Sequence, residues 1–134
     1  LEDWNWSPES QRIHNITRDM LENDGIPASQ VAREVAEALI AAPLLLSDQA
    51  GLEDFWLRCL MMALPRSDWP AIRVHSLRQY LGKLLGEQPT KAWTDLAPLR
   101  EQISVTKPLT HRAGADVAHY VELIRRVLRH ADLE

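Results

Sequence analysis

Prolines and glycines cut this chain into short stretches, and within most of them apolar residues recur every three or four positions. A helical period between frequent stops restricts the fold to a set of short helices. Ser7-Pro8 starts the first: serine caps, and proline in the first turn loses only an N–H that would have no partner. Ile13, Ile16, Met20 and Leu21 then share one face, and Asn23-Asp24-Gly25 stops the helix, predicted over 8–23. Ile26-Pro27 opens a second, with Val31, Val35, Leu39 and Ala42 as a narrow stripe and Pro43 as its stop.

Ser47-Asp48 caps a third helix, ended by Pro65. Leu52, Phe55, Trp56, Cys59, Leu60 and Ala63 mark its buried face, and Leu57, Met61, Met62 and Leu64 widen it almost to the full circumference. A helix apolar nearly all round belongs at the centre of a core. Ser67-Asp68-Trp69-Pro70 starts a fourth, with Leu77, Tyr80, Leu81, Leu84 and Leu85 facing inward and Gly86 as its C-terminal cap. A turn over 90–95 and a helix over 96–104, capped by Asp95, come next, because Pro98 is tolerated only near a helix start. Residues 104–110 read as a connector. Val117, Tyr120, Val121, Ile124, Val127 and Leu128 define a last helix, in which Glu122 pairs with Arg125 or Arg126. No stretch of five residues alternates like a strand between turn signals. The expected fold is all-α: a compact bundle of five to six short helices joined by short loops, with one core.

At 134 residues, 46 % of them hydrophobic, the chain suits one helical domain over 1–134 that needs no disulfide or metal. It begins with Leu1, which fits a fragment of a larger protein, and Leu133–Glu134 fit a cloning remnant. Cys59 is the only cysteine, which excludes an internal disulfide and a cysteine-based zinc site. With no signal peptide and no run long enough to span a bilayer, the expected setting is cytoplasmic, without membrane association.

Chemistry-bearing patterns are sparse. The glycines at 25, 51, 82, 86 and 114 form no phosphate-binding loop. Asp116 and His119 are i, i+3 neighbours able to share an ion, but no second such pair exists, so no metal or cofactor is expected. Cys59 reads as a core thiol, and the five histidines fall in no nucleophile or acid–base signature. The sequence therefore points to no catalytic role.

Two surfaces invite a binding role. Five tryptophans are many for this length. Trp4, Trp6, Trp69 and Trp93 stand at helix entries, where an indole either folds back as a staple or anchors a partner. Arg125, Arg126 and Arg129 crowd the end of the last helix. They complement its dipole or, with Arg112, contact an anion or nucleic acid. Net charge is −6 over residues 1–67 and +2 over 68–134, and the pI of about 5.7 is low for a nucleic-acid binder. The leading expectation is a non-catalytic protein–protein interaction domain, an adaptor or regulatory module, binding another protein or a second copy of itself. Nucleic-acid binding through the basic last helix is the alternative.

Overall fold

The computed structural model describes residues 6–110 and 113–130, so the sequence-predicted Trp4 and Arg112 lie outside the described residues. Among the described residues the chain forms eight α-helices, one 3-10 turn and one small sheet. The mainly helical character is as expected, but the helices are more numerous and the fold is not purely α.

Local chemistry explains the extra breaks. The helix predicted over 8–23 is two: α1 (Pro8–His14) and α2 (Arg18–Asp24). Asn15 adopts the left-handed conformation and closes α1, and Thr17 accepts a hydrogen bond from the Met20 amide to open α2. Neither helix buries a residue. The next helix, α3 (Ala28–Ala41), runs between Pro27 and Pro43 as expected. Strand β1 (Leu45–Ser47) and α4 (Ala50–Met61) follow.

The fourth predicted helix starts ten residues late. Residues Arg66–Asp68 make only a 3-10 turn, and strand β2 (Val74–Ser76) precedes α5 (Leu77–Leu85), whose cap is Ser76. Strands β1 and β2 pair in parallel, Leu45 with Val74 and Ser47 with Ser76, and α4 makes the crossover between them. The missed signal is Ile72-Arg73-Val74-His75-Ser76, which alternates half-buried and exposed as a strand should. The predicted 90–95 turn is a full helix, α6 (Pro89–Asp95). Then α7 (Ala97–Thr106) takes Pro98 in its first turn and extends into the predicted connector. The chain ends in α8 (Ala113–His130). No helix among the described residues is long and apolar enough to cross a membrane.

The single core expected from the sequence is two clusters. One joins Leu77 and Leu81 of α5, Ile103 of α7, and Leu123 and Val127 of α8. The other joins Ala32 and Ala36 of α3 to Met61 of α4, flanked by Leu60, Leu64, Trp69 and Ile72. At about 1.5–3 kcal/mol per fully buried large aliphatic side chain, the first cluster stabilises far more than the second, which has only Met61 of that size. The sheet is the joint, because α4 and α5 both touch β1 and β2.

Candidate functional site

Between α3, β1 and α4 on one side and α8 on the other lies an open cleft of about 660 Å³. One wall comes from Leu39 of α3, Leu44–Leu46 and Leu57 of α4; the other comes from Leu109 and the first half of α8 through Val117, Tyr120, Val121 and Ile124. Pro43 creates the first wall by ending α3 and releasing an extended run of leucines. The second arises because the apolar positions of α8 occupy two faces. Leu123 and Val127 are buried in the core, whereas Val117 is 59 % exposed and Val121 stands beside it one turn on. Val117 and Val121, expected on the buried stripe, thus face the cleft. Among the described residues a single side-chain hydrogen bond crosses between the walls: the Tyr120 hydroxyl donates to Asp48 Oδ2 at 2.8 Å. Burial, and then the bond to the Asp48 carboxylate and its negative charge, push the Tyr120 hydroxyl pKa well above its ordinary value.

A second apolar surface is the outward side of α4. Leu52, Phe55, Trp56 and Met62 are exposed there, Trp56 at 57 % and Met62 at 74 %. This overturns the expectation of a central helix. Only Leu57, Leu60, Met61 and Leu64 find partners, because α3, the two strands and the following turn cover one side of α4 and nothing among the described residues covers the other. Phe55 and Trp56 meet each other edge-to-face, with ring centroids 5.1 Å apart. Cys59 is half-buried, not enclosed.

Trp6, Trp69 and Trp93, the sequence-predicted tryptophans among the described residues, are occupied within the chain. The Trp6 Nε1–H donates to Gln11 Oε1 at 2.7 Å, folding the ring back over α1. Trp69 is half-buried against the α3–α4 cluster, with the Arg66 guanidinium 3.9 Å from its ring centre. Trp93 packs on the main core and carries Arg100 at 4.0 Å and Arg78 at 4.7 Å. Among the described residues the freely exposed indole is Trp56.

The basic end of α8 is partly committed as well. Glu122 gathers Arg126 at 2.8 Å, Lys107 at 3.6 Å and Arg129 at 3.7 Å, while Arg125 is exposed. The hydrogen bond from Arg126, backed by the other cations, holds the Glu122 carboxyl below its usual range against a smaller opposing effect of burial. The predicted pairing with Arg126 is present.

Among the described residues titratable groups do not converge on one point. Buried His119 donates from Nδ1 to the Lys107 carbonyl at 2.8 Å, a tautomer set by the acceptor. The neighbouring Asp116 accepts from the Thr110 amide at 2.8 Å. Among the described residues no three His, Cys, Asp or Glu side chains are grouped to hold a metal, and no hydrogen bond joins a histidine to a carboxylate. A second cavity of about 580 Å³ lies between Leu85, Leu99 and Val127, with charges of both signs at its edge. The chain matches no protein-family model, no curated protein and no solved structure, and its side-chain geometry is the ground for any functional reading.

Proposed function

We propose that this is a non-catalytic protein-interaction domain, and that its docking surface is the cleft between the leucines of α3, β1 and α4 and the first half of α8, which receives an apolar segment of another protein. The observation that carries this is the cleft lining. Leu44, Leu109, Val117 and Val121 are all exposed there, on a concave surface of about 660 Å³ with aliphatic walls. Concave apolar surface with a few fixed polar groups is the usual form of a recognition groove. Among the described residues the histidines and the half-buried Cys59 form no competing constellation for chemistry.

Selection of a displayed random peptide library on the full chain tests the proposal. It expects enriched peptides that bind the native chain and lose binding to the Val117→Gln/Val121→Gln variant, whose substitutions lie on exposed helix positions and leave the fold intact by circular dichroism. Enrichment of no peptide that distinguishes the two proteins would contradict it.

A further inference from the structure

The charge of the cleft limits what it accepts. Among the described residues Asp48, Glu53 and Asp116 line it, and no Lys, Arg or His does. Among the described residues none of these three carboxylates is in an ion pair. Asp48 and Asp116 are held by neutral donors, the Tyr120 hydroxyl and the Thr110 amide, which fix their positions without cancelling their charge. Three like charges beside an apolar wall project a field that water screens less well than it does on open surface.

We infer, building on the docking role proposed above, that the occupant is an amphipathic segment of another protein, with Lys or Arg side chains flanking its apolar face. Among its described residues the chain does not supply this segment from a second copy: α4, which exposes Leu52, Phe55, Trp56 and Met62, carries Glu53 and Asp54 against Arg58. Its unpacked helices α1 and α2 expose Ile13, Met20 and Leu21, but residues 6–26 carry four carboxylates against two arginines, the wrong sign for an acidic cleft. The basic end of α8 has the right sign, but its apolar residues Leu123 and Val127 are already buried in its own core. A nucleic acid would set phosphates against the three carboxylates.

The test uses two synthetic peptides of about 18 residues, five helical turns, with one leucine pattern, bearing lysine or glutamate on the polar face. Each is titrated calorimetrically into the full chain at low and high salt. The inference expects the lysine peptide to bind at least about tenfold tighter, the scale of two or three partly exposed charge pairs. The advantage shrinks as salt rises. It also shrinks in Glu53→Gln, a side chain free of hydrogen bonds, even if Asp48→Asn or Asp116→Asn fails to fold. Equal affinity for both peptides, abolished by Val117→Gln/Val121→Gln, overturns the charge requirement and leaves the docking role standing. A lysine peptide that binds the Val117→Gln/Val121→Gln variant equally well is held elsewhere, which overturns the inference. Binding of neither peptide overturns both.

Discussion

Trp56 and Leu81 are both large apolar residues on helices, yet they stand at opposite ends of the energetic range. Leu81 is fully buried between α5, α7 and α8, so Leu81→Ala should cost about 2–5 kcal/mol in a denaturant melt. Trp56→Ala should cost less than about 1 kcal/mol, whereas a central aromatic would lose about 3–5. The sequence shows that α4 is apolar; it does not show which neighbours exist to cover it. That depends on two short strands and a turn whose positions are set by tertiary contacts, so the exposure of Trp56 is not legible locally, whereas stapling of a helix-entry indole is one of the two outcomes its position allows. Glu122 is a residue-scale case that was legible, because an i, i+4 pair is a local relation. Its folded carboxyl titrates below the unfolded one, so its contribution to stability is present above the ordinary glutamate range and disappears as pH falls through the lowered value. Acid melts of Glu122→Gln should therefore show a shallower loss of stability on acidification than the native chain, and an unchanged slope would count against the ion network.

At the scale of elements, caps and stops govern the outcome. Gly86 ends α5 at φ 67, in the left-handed region that glycine enters without strain, as its position in the sequence implied. Gly82 has a different role. A Cβ there would come within 2.9 Å of the Glu87 carbonyl oxygen and 3.1 Å of Pro89 Cα, so the missing side chain lets α5 meet the start of α6. Gly82→Val should destabilise by about 1–3 kcal/mol through overpacking against backbone, measurable as a lower denaturation midpoint. Nothing in the sequence flags this, since the contact is made by residues whose fold brings them back against the helix. The strands escaped notice for a related reason. Three-residue β1 offers too few positions for a period to show, and the alternating run into β2 ends on Ser76, which serves both as a strand end and as a helix cap.

For the whole molecule, the division of the core matters most. Helical periodicity identifies inward faces but not whether they share one interior, and here they do not. The α5–α7–α8 cluster holds five well-buried aliphatic residues; α3–α4 relies on two alanines and Met61. Amide hydrogen exchange should accordingly be faster in α3 and α4 than in α5 and the second half of α8.

Amide chemical shifts of the labelled full chain, followed as the leucine–lysine peptide is added, test the docking role most directly. Shifts concentrated at Leu44–Asp48, Leu109 and Val117–Val121 are predicted. Shifts confined to the outward face of α4 or to the last turn of α8, with the cleft residues unmoved, would contradict it.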